Sequence, residues 1–122
     1  MQVKKARRTD PNRLVLIQNL KTASKQHQSN IWARVASDLS KSNRNRTVVN
    51  LSRLSRTTSP GDIVVIPGKV LGSGVMAHSL DVAAEAFSTS AQEKITQSGG
   101  QCLTIPEMVA RDPNGSNIKL IK

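Results

Sequence analysis

The sequence predicts an α/β domain: a small sheet with packed helices, preceded by a basic helical N-terminal region. Three observations carry this reading. Apolar residues from Leu16 to Leu39 recur at helical spacing. The run Ile63-Val64-Val65-Ile66 is β-branched throughout and bounded by turn residues. Residues 80–87 alternate with period two and lead into a further helical pattern that a double glycine closes. A length of 122 residues fits one domain, or one domain plus a tail. The expected division is a basic mobile tail over 1–9, a helical arm with a basic loop over 10–46, and a small α/β domain over 47–122.

The tail carries Lys4, Lys5, Arg7 and Arg8 and little that is apolar. Such a segment cannot offset its ordering entropy by burial and is expected to order only on contact with a partner. Asp10-Pro11 is a helix start, an N-cap residue type followed by proline at the first helical position. Arg13, Leu16, Ile17, Leu20 and Ser24 then fall at helical spacing, which predicts a helix from about Pro11 to Lys25. The polar stretch Gln26 to Asn30 breaks it, and Ser29 or Asn30 can cap a second helix. Trp32, Val35, Ala36 and Leu39 form the buried stripe of that helix, which is expected to end near Ser40. Lys41 to Arg46 follows, three cations and two asparagines with no apolar residue, and reads as an exposed loop.

Val48, Val49 and Leu51 predict a short strand, with Arg53 and Arg56 extending the basic surface past it. Ser59-Pro60-Gly61-Asp62 is a turn. Ile63 to Ile66 then reads as a strand buried on both faces. The run from Pro67 to Gly74 holds three glycines, a proline and one charge, Lys69. It reads as a loop whose backbone can lie close against something. Residues 80–87 form the next strand. Ser88 can cap the helix after it, with Ser90 and Glu93 as a shifted capping box; Ala91 and Ile95 face inward and Gly99-Gly100 stops the helix. Cys102 to Ile105 predicts a strand, Pro106 and Glu107 a short helix ending before Asp112-Pro113, and Ile118 to Ile121 a last edge strand.

Charge is the strongest functional signal. The formal net charge is +10, and 13 of the 18 Lys and Arg precede residue 57, against only Asp10 and Asp38. The remainder of the chain is close to neutral. One half is thus suited to a polyanion, nucleic acid before an anionic membrane surface. Aromatics make up only 2% of the chain, which weighs against base-stacking platforms. No apolar stretch approaches the ~20 residues of a membrane span, and the N-terminus lacks the apolar core of a signal peptide. Cys102 is the single cysteine, so no internal disulfide forms, and a small core thiol is the simplest reading of it.

Other chemistry finds no support in the motifs. The glycine run departs from the P-loop pattern, because Lys69 precedes Gly72 and Val75 follows Gly74. It also misses the third glycine of the dinucleotide fingerprint, where Ala77 stands. His27, His78 and Cys102 have no metal-ligand spacing; His27 fits a helix end and His78 a loop. Asp81 and Glu85 on one strand make no catalytic pair, and no nucleophile lies in a recognisable elbow. No cofactor, metal, small-molecule substrate or membrane is expected. The candidate binding residues are Lys4, Lys5, Arg7, Arg8, Arg13, Lys25, Lys41, Asn43, Arg44, Asn45, Arg46, Arg53, Arg56, Lys69, Gly72, Ser73 and Gly74, chosen on charge and loop position.

The second half also carries a specific combination of short motifs. They are K-V-L-G-x-G at Lys69 to Gly74, A-x-x-F-S at Ala84 to Ser88, A-x-x-K-I at Ala91 to Ile95, and Gly99-Gly100. With VVNLSRL at Val48 to Leu54 and the two helices around Trp32, the chain resembles, over nearly its whole length, large-subunit ribosomal protein eighteen of archaea and eukaryotes. That family is related to bacterial large-subunit protein fifteen, and the length fits the archaeal type. The resemblance implies a non-enzymatic structural constituent of the large ribosomal subunit in the cytoplasm. It also implies that the basic half and the Gly72-Ser73-Gly74 loop lie on large-subunit rRNA, beside neighbouring ribosomal proteins. A general duplex-DNA binder using the same charge is the alternative, and a small nucleotide-using enzyme a weaker one.

Overall fold

The computed structural model describes residues 11–40 and 47–122. Its centre is a five-stranded sheet in which every pairing is parallel. The elements run α1 (Pro11–His27), α2 (Asn30–Leu39), β1 (Thr47–Asn50), α3 (Leu51–Thr57), β2 (Ile63–Leu71), β3 (Asp81–Phe87), α4 (Thr89–Gln97), β4 (Gln101–Thr104), α5 (Ile105–Arg111) and β5 (Ile118–Leu120). The sheet order is β1-β2-β3-β4, and β5 also pairs with β2. β3 holds one edge of β2. The other edge is shared: β5 takes Ile63 to Val65 and β1 takes Gly68 to Leu71.

A parallel sheet must be covered on both faces, and the period of two in β2 and β3 supplies apolar residues to both. Val64, Ile66, Val70, Val82 and Ala84 join one core with Leu51 and Leu54 of α3 and Ala91 and Ile95 of α4. Val65 and Ala83 join the other with Ile17 and Leu20 of α1, Trp32, Val35 and Leu39 of α2, and Ile105 and Met108 of α5. The helical stripes expected from spacing are the residues that fill this second core. Trp32 is fully buried and its Nε1–H donates to the Pro113 carbonyl at 2.8 Å, tying α2 to the turn before β5.

Both ends of α4 follow their sequence signals, while Ser29 stands at the N-cap position of α2 without a side-chain cap bond. Ser88 caps α4, its Oγ accepting from the Ala91 N–H, so the shifted box at Ser90 is not the one used. Gly99 (φ +91°) closes α4: its N–H donates to the Thr96 carbonyl and that of Gly100 to Ile95, the paired bonds of a left-handed C-terminal cap. α1 runs to His27 and turns at Gln28 (φ +50°). Thr104 and Glu107 form a reciprocal capping box that starts α5 at Ile105, so Ile105 belongs to the helix and not to the strand before it.

Two further segments differ from the sequence expectation. The first half of the Pro67–Gly74 run is strand, since β2 continues to Leu71. Pro67 is accommodated because the pairing with β3 shifts register between Ile66 and Lys69, an irregularity where a missing N–H costs no ladder bond. Gly68 is required by β1, because a Cβ there would lie 2.0 Å from the Thr47 carbonyl oxygen. The second difference is α3. Leu51 begins this seven-residue helix instead of ending β1. Leu51 and Leu54, its two inward residues, are both fully buried.

Candidate nucleic-acid interface

Of the residues singled out for binding, Lys4, Lys5, Arg7, Arg8, Lys41, Asn43, Arg44, Asn45 and Arg46 lie outside the described residues. The structure places the remaining eight in three settings.

Arg13 is turned inward. It lies one helical turn before Ile17 on the buried stripe of α1 and is only 9% exposed. Its Nη2 donates to both carboxylate oxygens of Glu85 on β3, and its Nη1 donates to the Leu39 carbonyl at the end of α2 at 2.7 Å. The expectation of a phosphate-facing Arg13 is therefore corrected: its charge is matched inside the fold, and it joins α1, α2 and the sheet. Asn12, Arg13, Leu16, Glu85, Thr104 and Pro106 line a small cleft of about 190 Å³ beside this junction.

Lys25, Arg53, Arg56 and Lys69 are exposed. Lys25 stands in the last turn of α1, where a cation also complements the helix dipole. Arg53 and Arg56 lie on α3, and Arg53 donates to the Lys122 carbonyl at 2.5 Å. Lys69 projects from β2, in register with Val48 of β1, which is itself 56% exposed.

Gly72, Ser73 and Gly74 form the connection that leaves β2. The close approach that glycine permits is made to the protein's own helices. A Cβ on Gly72 would stand 2.3 Å from Ser90 Oγ, and one on Gly74 (φ +98°) would stand 2.6 Å from Ser52 Cβ. The connection is also bonded into place. The Lys94 ammonium donates to the carbonyls of Gly72 and Gly74 at 2.7 and 2.9 Å, the Ser52 N–H to the Ser73 carbonyl, and the Ser55 hydroxyl to the Val75 carbonyl. Lys94 is a residue that charge counting passes over; its signal is the A-x-x-K-I spacing, one turn after Ser90 on α4.

Charge counting also passes over two further cations. Lys21 on α1 and Arg34 on α2 are exposed and, with Lys25, Arg56 and Lys69, form no ion pair among the described residues. Residues 11–37 contain no Asp or Glu at all, and Asp38 is buried against Lys122 at 3.2 Å. Elsewhere the cations are matched: Arg111 with Asp81 at 2.7 Å and Lys119 with Asp62 at 2.8 Å. The hydrogen bond from Lys119, with a second from the Ser59 N–H, holds the Asp62 carboxyl below the usual range. Arg13 is thus matched inside the fold and Arg111, Lys119 and Lys122 at its surface, while other exposed cations have no ion pair among the described residues.

His78 Nε2 pairs with Thr58 Oγ1 at 2.9 Å, a loop contact. Cys102 packs at the margin of a core, and burial pushes its thiol pKa up, the opposite of an activated nucleophile. Among the described residues no group of three His, Cys, Asp or Glu is placed to hold a metal. No described helix is long and apolar enough to cross a membrane.

These features define a class, small parallel α/β proteins with exposed cations and a carboxylate-free stretch over residues 11–37. The particular family follows from comparison: residues 1–122 match the family model of ribosomal protein 60S L18 and 50S L18e, and the chain belongs to that family. It is similar to large ribosomal subunit protein eL18 of Methanothermobacter thermautotrophicus, 42% identical over 120 residues that cover 98% of this chain and 99% of that protein. The eL18 of Methanococcus maripaludis is 43% identical over 119 residues, 98% of this chain and 99% of its own length. That of Methanoregula boonei is 40% identical over 115 residues, 94% and 95% of the two chains.

Proposed function

We propose that this protein is a structural constituent of the large ribosomal subunit that binds and stabilises folded large-subunit rRNA. The observation that carries this is the unmatched positive charge of a chain whose full-length relatives are large-subunit proteins. Mechanism here means neutralising phosphates and fitting a rigid α/β body to the shape of folded RNA. Lys25, Arg53, Arg56 and Lys69 contribute from the described body, together with Lys4, Lys5, Arg7, Arg8 and the Lys41–Arg46 segment with its Asn43, Arg44 and Asn45. Lys21 and Arg34 extend the same set. Arg13 supports it from inside. Neighbouring large-subunit proteins are its other partners, and its place is the cytoplasmic ribosome.

The test is sedimentation of native extract through a sucrose gradient after a high-salt wash. The chain is expected to stay with the large subunit; release to the top of the gradient would overturn the assignment. Replacing Lys41, Arg44 and Arg46 together with Ala is expected to weaken rRNA binding and flatten its salt dependence. Contact with ~6–10 phosphates would cost about three to five decades of affinity between 50 and 200 mM salt. Equal affinity for duplex DNA and folded rRNA would favour the general DNA-binding reading instead.

A further inference from the structure

The connection after β2 has an orientation that its glycines alone do not explain. Four consecutive carbonyls, those of Gly72, Ser73, Gly74 and Val75, all accept hydrogen bonds from the body of the protein. Two of them converge on one ammonium, Lys94 Nζ. In a trans peptide the N–H points opposite to the C=O. The peptides that give Lys94 the carbonyls of Gly72 and Gly74 therefore turn the N–H groups of Ser73 and Val75 away from α4, on a common side. Neither N–H donates a hydrogen bond among the described residues. Ser73, Gly74 and Val75 are exposed, Val75 by 75%. Outward donors, inward acceptors and a fixed cation behind them make the arrangement of a backbone anion site.

We propose that Ser73 to Val75 is a phosphate-binding loop, in which the N–H groups of Ser73 and Val75 donate to the non-bridging oxygens of one rRNA backbone phosphate. This rests on the rRNA-binding function proposed above. Lys94 is the positioning residue. It does not touch the phosphate; it holds both peptides in the required direction, and its charge on their carbonyls strengthens the N–H groups as donors. The glycines keep the loop seated: a side chain on Gly72 would strike Ser90 Oγ and the Ala91 nitrogen, and one on Gly74 would strike Ser52. Because the recognition is by backbone, it reads phosphate and not base sequence.

The experiment is amide-resolved NMR on the isotope-labelled full chain, titrated in separate arms with folded large-subunit rRNA, inorganic phosphate and ATP. The Ser73 and Val75 amide resonances are expected to shift with rRNA and to gain protection from hydrogen exchange. Saturable shifts with ATP tighter than with rRNA would assign the loop to a free nucleotide and overturn the proposal. Ser73→Glu places a carboxylate on an exposed position of the loop. It is expected to lower rRNA affinity about tenfold and to flatten the salt slope by about one phosphate, with an unchanged thermal midpoint. Lys94→Met is expected to lose a similar factor and to abolish the protection of both amides; Lys94→Arg, which restores a donor, recovers part of it. Binding of rRNA at full affinity by Ser73→Glu, with the loop amides unshifted in the parent chain, overturns the loop and leaves the ribosomal function standing. Absence of any rRNA binding overturns both.

Discussion

Arg13 shows how a single charge is used twice over in a chain rich in cations. By composition it looks like one more phosphate ligand; by position it is a core residue, i to i+4 with Ile17. Its guanidinium satisfies a carboxylate 19% exposed and a helix-end carbonyl at once. Arg13→Met removes the counter-ion and leaves Glu85 unpaired in a partly dry setting, so a loss of ~3 kcal/mol in urea unfolding is expected. The Arg13→Met/Glu85→Leu pair should recover most of that, because no uncompensated charge remains; a double variant as unstable as the sum of the singles would refute the ion-pair account. Asp62 gives the pH counterpart. Its folded pKa is depressed by Lys119 and the Ser59 N–H, so the stability it contributes is fully present above its unfolded value and is lost as pH falls through the folded one. The stabilities of Lys119→Ala and the parent should therefore differ fully above about pH 4 and converge progressively as pH falls below that through the depressed folded value. A constant offset across the whole range would exclude the linkage.

At the scale of elements, what was legible is what has period or punctuation. The stripes of α1 and α2, the alternation in β3, the cap at Ser88 and the stop at Gly99-Gly100 were all readable because each is a local signal. α3 was not, since two leucines three apart in seven residues are also compatible with a strand end. Nor was the continuation of β2 through Pro67-Gly68, because both residues ordinarily mark loops. Only the partner strand explains them: the Thr47 backbone occupies the space of a Gly68 side chain. Gly68→Ala is thus expected to detach β1 while β2 and β3 remain paired, which hydrogen exchange would show as lost protection confined to residues 47–50. Uniform loss over the whole sheet would mean that β1 holds the fold together and is not a peripheral strand. For the candidate site the same limit applies. Exposed cations could be counted from the sequence, but that Arg13 points in, and that Lys94 fastens the glycine connection, depends on which helices flank the end of β2.

For the whole molecule, the unmatched charge sets two opposing salt dependences. A net charge of +10 on 122 residues repels itself, and Lys21, Lys25 and Arg34 lie on two adjacent helices with no carboxylate between residues 11 and 37. Added salt screens that repulsion within a Debye length of about 8–10 Å, so the free chain should gain stability with ionic strength. The same salt removes the counterion-release advantage of RNA binding, so affinity should fall. Replacing Lys21, Lys25 and Arg34 together with Gln separates these effects. All three side chains are exposed and form no ion pair among the described residues; the variant should therefore melt at the same temperature as the parent or higher at low salt, with a smaller gain on adding salt. Its rRNA affinity should drop, and the slope of log affinity against log salt should lessen by about 0.9 for each phosphate no longer neutralised if the bound RNA is duplex. A variant that melts lower and keeps the full slope would show that these cations serve the fold. The charge of α1 and α2 would then be structural, and the RNA-facing cations would have to be sought on α3 and β2.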